Sequence, residues 1–420
     1  MKGDFSRVSF NKEKFYRKVN MQQGRVQLDS DWNEQNEILQ YFQQIIVKDI
    51  IGQHAAPTSN AGFEIKPTKN GYTIGPGHYY VDGILCENES EVSATNQPNM
   101  PSARRIKRPA LPLRSGLYFV YLDVWERHIT GIQDSEILEP SLGGADTSTR
   151  TKIVWQVKIQ AVKSVDLETD KCSAFKAPER LSTGKMKAST GYSGLESQLY
   201  RVEIHDAGKT IEGNKPTFKW SRENGSVATK ISKISDEVLI LNQDQKNEGG
   251  FEAGDWVEVT DDFHELNERP GTFVNIIECD GHVIKFDNRD VIGEPVTEEN
   301  YLDVHNPLIR KWGSTPIEIS LPCNEEDYLE LDNGVKIQFS EGSYRTGDYW
   351  LMPCRPSIGL MWKEICGEPS FVEAFGVEHH YCPLAIISKQ RNGVKLISDC
   401  RRFFHPLSEL YLLMHSSSPR

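Results

Sequence analysis

The feature that most constrains this chain is its punctuation. Turn-forming pairs recur along its length: Gly-Pro-Gly at 75–77, Asp-Gly at 82–83 and 280–281, Asn-Gly at 224–225, and Gly-Asp at 254–255 and 347–348. Such pairs supply positive φ or preset tight reversals. Between them lie short runs rich in β-branched and aromatic residues, such as GLYFVYLDVWERHI (116–129) and TKIVWQVKIQAV (151–162). Those runs fit pleated, half-buried strands. The fold expected is mainly β, a multi-domain β-sandwich and small-barrel architecture with one N-terminal amphipathic helix.

That helix follows Asp31. Ile38, Phe42, Ile45 and Ile46 recur at helical spacing. Asp31 and Glu34 read as N-cap and capping box, and Gly52 as the stop. Just upstream, Val26 and Leu28 alternate as a short strand. Trp32 is expected to pack where strand and helix join, and Arg25 to face a neighbouring subunit.

At 420 residues the chain exceeds one ordinary core. The expected division is a strand-turn-helix arm (1–60), a β domain with a Pro/Arg-rich connector at 98–114 (61–180), a β-hairpin segment (181–233), a small barrel-like domain (234–300), and a C-terminal β domain with a terminal arm (301–420). The stretch 407–414 suits a short terminal helix. In QLYRVEIHDAG (198–208), Leu199, Arg201, Glu203 and His205 share one side of the pleat, and Tyr200, Val202 and Ile204 the other.

The formal charge of −12 disfavours nucleic acid and anionic membrane as partners. No stretch approaches the ~18 continuous apolar residues of a spanning helix. MKGDFSRVSF lacks a signal peptide's apolar core, so synthesis in the cytoplasm is expected. The eight cysteines carry no CxxC spacing and read as reduced and mostly buried.

Chemical motifs are weak. Asp29, Asp31 and Glu34 could hold a hard cation, but helix capping explains them better. His379, His380, Cys382, Asp399, Cys400 and His405 lack zinc-ligand spacing, and adjacent strand histidines point apart. Asp123 and Glu126 fall on opposite faces of their strand, which weakens a paired-carboxylate reading. No catalytic residue, cofactor or metal ligand is assigned. Trp125 with Arg127 and Trp220 with Arg222 set aromatic rings beside cations. With Arg25 and Trp32 they are the interface candidates.

MKGDFSR, MQQGRVQLDSDWNEQ, YFVYLDVWERHIT, EPSLGGADTSTRTKIVWQVK, QLYRVEIHDAG, TFKWSRENGSV, YRTGDYWLMP, HYCPLAII and DCRRFFHPL occur in order. Together they resemble a bacterial family encoded with phage-tail-like contractile injection systems. PGHYYVDG (76–83) is similar to a phrase in phage tail and baseplate proteins. The resemblance implies a structural part of the particle: an adaptor between the tube–sheath trunk and the terminal cap, or a baseplate piece. Its partners would be other tube, sheath, cap or baseplate subunits and further copies in a symmetric ring. The protein would be released as part of an extracellular particle. A carbohydrate-binding or carbohydrate-cleaving module displayed on the particle, and a payload carried in the tube, are the alternatives.

Overall fold

Three apolar cores organise the chain, each wrapped by sheets whose pairings are almost all antiparallel. They are seen in a computed structural model that describes all residues except 101–113, 163–170, 180–181, 190, 236, 243–249, 302–304, 325 and 410–420. The chain is mainly β, with sandwich-like and curled sheets and one long N-terminal helix. The connector at 98–114 and the terminal helix at 407–414 fall largely outside the described residues.

The first body is built around the strand Gly116–Ile129. It pairs along its length with Arg150–Ala161 and, on its other edge, with His380–Gln390. Val120, Leu122 and Val124 alternate inward onto Phe63, Tyr79, Trp155 and Leu384. A second sheet, His54–Pro57 with Gly77–Val81 and Ile84–Asn88, closes that core.

In the second body, Gln198–Ile204 lies between Thr217–Ser221 and Tyr349–Arg355. Tyr200, Val202 and Ile204 turn inward with Phe218, Phe339 and Trp350. The opposite face of the same strand carries Arg201 and Glu203, as the alternation predicts.

The third body is one seven-stranded sheet, running from Thr272–Asn275 at one edge to Glu278–Asp280 at the other. It curls over Val257, Val259, Val274, Ile284 and Ile309. Its strands run from Ala228 to Trp312, a wider span than the expected 234–300.

The bodies are nested in sequence, which corrects the linear division. The third is inserted into the second, and the second into the first. Residues 301–420 therefore split among all three, with Leu308–Trp312 in the third, Lys336–Phe339 in the second and His380–Gln390 in the first. Within 181–233 the hairpin is formed by Gln198–Ile204 and Thr217–Ser221, paired antiparallel through a long connection, and the Asn224-Gly225 turn is not its loop. Asn224 and Gly225 do adopt positive φ, 52° and 61°. The strands they join pair with other partners, so this turn carries the chain between bodies. Turn chemistry fixes the local reversal, and long-range pairing chooses the partner. The Asp280-Gly281 hairpin forms as expected, with Asp280 opposite Val283. Both Gly-Asp turns share one geometry: Asp255 accepts from the Glu252 N–H at 2.8 Å, and Asp348 from the Arg345 N–H at 3.1 Å.

The cysteine reading also needs correction. Cys172 and Cys400 form a disulfide across 228 residues, a pairing that no local spacing announces. Of the free cysteines, Cys86, Cys354 and Cys382 are buried, while Cys323 and Cys366 are exposed.

Helix α1 spans Asp29–Ile51 and ends at Gly52, whose φ is 93° and whose N–H reaches the Lys48 carbonyl at 2.8 Å. Its N-cap is Leu28, with no side-chain cap bond, so Asp31 lies inside the first turn and is not the cap. Val26 and Leu28 form no strand and are exposed. The helix rests on the Asp82-Gly83 turn. Lys48 Nζ meets Asp82 at 2.8 Å, and Gly83, at φ 85°, lies directly under the Gln44 carbonyl. A Cβ there would clash with that backbone oxygen. Gly83→Ala is therefore expected to cost about 1–3 kcal/mol through overpacking and backbone strain. Denaturant unfolding, with proteolysis of α1 as a local readout, checks this; an unchanged midpoint and unchanged cleavage would contradict it.

Candidate functional site

Where the three bodies meet, charged side chains replace the apolar core. Lys219 stands directly opposite Glu203 in the strand register, and Glu258 opposite Arg310 in the third body. The two sheets face each other across these rows. Lys219 Nζ lies 2.7 and 2.6 Å from the two oxygens of Glu258, and 3.3 Å from Glu203. Arg201 holds Glu203 at 2.6 Å, and Trp312 donates to Glu258 at 2.9 Å. All of these side chains are buried. Burial alone would push both glutamates up. For Glu203 the cations Lys2, Arg201 and Lys219, and for Glu258 chiefly Lys219 and His205, outweigh burial and hold each below the ordinary carboxylate value.

A short helix is the shared hinge pin. Helix α2, Asp262–Leu266, is capped by Asp261, which accepts from the His264 N–H at 2.9 Å. Asp262 and Glu265 both take Arg127 of the first body, at 2.5 and 2.8 Å. Glu268, three residues on, takes Arg345 of the second body at 3.0 Å and lies 3.0 Å from His379. The other nitrogen of His379 meets Asp123 at 2.6 Å, and Lys158 meets the same carboxylate at 2.6 Å. Thus carboxylates at positions 262, 265 and 268 reach both other bodies. The small barrel-like domain expected at 234–300 carries no helix in that reading and so misses this one. Asp261 and Asp262 ahead of His264 and Glu265, with Pro270 beyond, carry the start-and-stop signal that could have found it.

The N-terminal segment threads into the same joint. Asn224, the turn residue, donates to the carbonyls of Met1 and Gly3 at 3.2 and 2.9 Å. Arg201 also reaches the Met1 carbonyl at 3.1 Å, and Lys2 Nζ lies 3.1 Å from Glu203. The arm is then strapped to α1: Asp29 accepts from the Ser6 N–H at 2.9 Å, and Glu34 from Ser9 Oγ at 2.7 Å. Those two acids hold the arm. Beyond Phe10 the chain to Asp29 is exposed at every residue except Val19.

The interface candidates divide. Trp125 is buried, its ring 4.6 Å from that of His379, with Leu266 of α2 in the same cluster. Arg127 is the α2 ion-pair partner. Trp220 is buried beside Tyr200, with ring centroids 6.1 Å apart. These three are internal joints of the molecule. Arg222 is half-exposed beside Asp332 at 3.4 Å, and Arg25 is exposed. Trp32 is 75% exposed, which overturns its expected packing at the helix junction.

Helix α1 is turned inside out. Its more polar side, with Glu37, Gln40, Gln44 and Lys48 beside Tyr41 and Ile45, faces the body and lines a cavity of about 830 Å³. Gln40 donates to Glu126 there. Burial, and next their mutual repulsion, raises the Glu37 carboxyl, and burial raises that of Glu126. The helix's apolar stripe faces outward: Leu39 is 57% exposed, Phe42 39%, Ile46 55% and Ile50 78%. Only Ser30 and Ile38 of the helix are buried.

His379, His380 and Cys382 do not converge. His379 goes to Asp123, His380 to Asp82 at 3.0 Å, and Cys382 into the first core. Among the described residues, no group of three or more His, Cys, Asp or Glu side chains is placed to hold a metal ion. Among them, too, no helix is long and apolar enough to cross a membrane.

The chain belongs to a family of unknown function, DUF6519, whose profile matches residues 1–177 and 176–415. No curated protein and no solved structure matches it.

Three outcomes follow from this geometry. Glu258→Gln leaves Lys219 buried without its full partner and should cost about 3–5 kcal/mol in denaturant unfolding; a loss below about 1 kcal/mol would contradict the joint's role. Trp32→Ala, at an exposed position, should change stability by no more than about 0.5 kcal/mol, and a large drop in Tm would contradict its exposure. Burial holds His54 and His128 down to about 4 and about 3, below their ordinary 6.5. The unfolded chain binds those protons first, so the contribution of these two histidines is complete above about pH 6.5 and falls as pH drops toward 4. Loss of the Glu203 and Glu258 pairs continues the fall below about pH 4.5, the ordinary carboxylate value. The raised Glu37 and Glu126 act in the opposite sense. Urea midpoints measured from pH 8 to pH 4 should decline on acidification; a flat or rising profile would contradict the assignment.

Proposed function

We propose that this chain is a structural subunit of a multi-copy assembly. The resemblance of its sequence blocks directs that reading to a phage-tail-like contractile injection particle, as an adaptor between trunk and terminal cap or as a baseplate piece. The observation that carries it is the inside-out helix. Monomeric proteins rarely expose a continuous apolar stripe, and large exposed patches mark interaction sites. Here a 23-residue helix spends its polar side on the body and presents its apolar side outward.

Other features support a scaffold role. Charged joints fix the three bodies against one another, which suits a part that transmits position. The Cys172–Cys400 disulfide suits surroundings outside the reducing cytosol, as a released particle would meet. The carbohydrate reading loses its platform, because the rings of Trp125 and Trp220 are buried.

Electron microscopy of particles from a strain lacking only this gene tests the proposal. Loss of a defined density, or sheaths of uncontrolled length, is expected. Complete particles of normal length would overturn it.

A further inference from the structure

Two exposed patches on this chain complement each other, and neither covers the other. One is the outward stripe of α1. At about 100° per residue, Leu39, Phe42, Ile46 and Ile50 with Trp32 fall within one narrow sector of the helix. Gln35 shares that sector, and its side-chain oxygen accepts from the Val19 N–H at 2.8 Å. Asp31 and Asp49 fall at one edge of the sector, and uncharged Asn36 and Gln43 at the other. The stripe is therefore apolar with an acidic margin.

The second patch is the arm segment KEKFYRK, residues 12–18. It holds a single turn, Lys12–Lys14, followed by Phe15 at φ 55°. Phe15 is 88% exposed and Tyr16 56%. Around them stand Lys12, Lys14, Arg17 and Lys18 against a single acid, Glu13, and all are exposed. This patch is aromatic with a basic margin. Aromatic and cationic residues of this kind anchor interfaces.

Resting on the assembly reading, we infer that the arm of one copy docks on helix α1 of a second copy, Phe15 and Tyr16 seating on the stripe and the basic margin facing Asp31 and Asp49. The contact is head-to-tail. Each copy offers one arm and one helix, so repetition closes a ring when the rotation allows. The tether permits it. Residues 11–18 are exposed and loop out between Phe10 and Val19, both seated on α1 of their own copy, so Phe15 and Tyr16 can project from it by roughly 10–15 Å. Residues 1–9 remain anchored in their own joint through Asn224, Arg201 and Glu203, so the docking segment hangs between two fixed points. Like charges discourage the simpler alternative. Two helices paired antiparallel by their stripes would set Asp31 beside Asp49 of the other.

The test uses full-length chains in two variants. Phe15→Ala/Tyr16→Ala removes the donor, and Leu39→Gln/Ile46→Gln removes the acceptor. All four positions are exposed, and circular dichroism with Tm verifies folding. Sedimentation and native mass spectrometry over a concentration series read the association. Wild type is expected to self-associate, more weakly at high salt. Each variant alone should associate about thirtyfold more weakly, the loss expected of a hot-spot pair. The two variants mixed should form one-to-one heterodimers, because the acceptor-dead copy still lends its arm to the donor-dead copy's helix. A monomeric wild type, an undiminished donor variant, or a mixture without heterodimers would each overturn the inference. An undiminished donor variant beside a monomeric acceptor variant would identify stripe-to-stripe pairing. Particles that lose a density on gene deletion, from a chain whose variants associate normally, would sink this contact and leave the assembly reading standing.

Discussion

Lys219 is the residue on which the arrangement of the molecule depends. It sits on the second body, is buried, and is held by Glu258 of the third body and Glu203 of its own sheet. A buried ammonium is costly unless paired and hydrogen-bonded. The two sheets can therefore approach only in the register that brings Glu258 under Lys219. Helix α2 then extends the constraint to the first body through Arg127, and Glu268 just beyond it reaches the second again through Arg345. Apolar contacts alone would hold the bodies together with less say over their angle. Directional ion pairs at three separate contacts leave one seating.

That rigid frame gives the N-terminal region its meaning. The arm is pinned at Asn224 and strapped to α1 by Asp29 and Glu34, so the helix is held although it buries little apolar surface. Its attachments are chiefly polar, Lys48 to Asp82 and Gln40 to Glu126, with Ile38 buried and Tyr41 against Phe10 beside them. A helix held by its polar side keeps its apolar side available. The same geometry accounts for Gly83, whose missing Cβ lets the helix backbone approach the turn.

Much of this frame was legible in the residues. Alternation along 199–205 separates a charged face from an apolar one, and both faces are used. The two Gly-Asp turns and the Gly52 stop were readable from local chemistry. What lies across a charged strand face was not. The pattern states which side chains share a side and is silent on whether that side meets water or another sheet. For the same reason the residues leave open whether Trp125 and Arg127 belong to a joint between subunits or within the molecule, and the joint is internal. Trp32 reads as packed at the strand–helix junction, because an apolar side chain at the start of a helical period usually packs, and it lies outside. Nesting was hidden because a strand carries no label for a partner hundreds of residues away, and the Cys172–Cys400 pair shares that blindness.

The central claim is that the outward face of α1 is covered in an assembly. Hydroxyl-radical footprinting of the purified chain and of the particle that contains it tests this most directly. Leu39, Phe42, Ile46 and Ile50 should label strongly in the free chain and be protected in the particle, while exposed residues elsewhere, such as Leu195, label alike in both. Equal labelling of the helix in the two states would contradict the account.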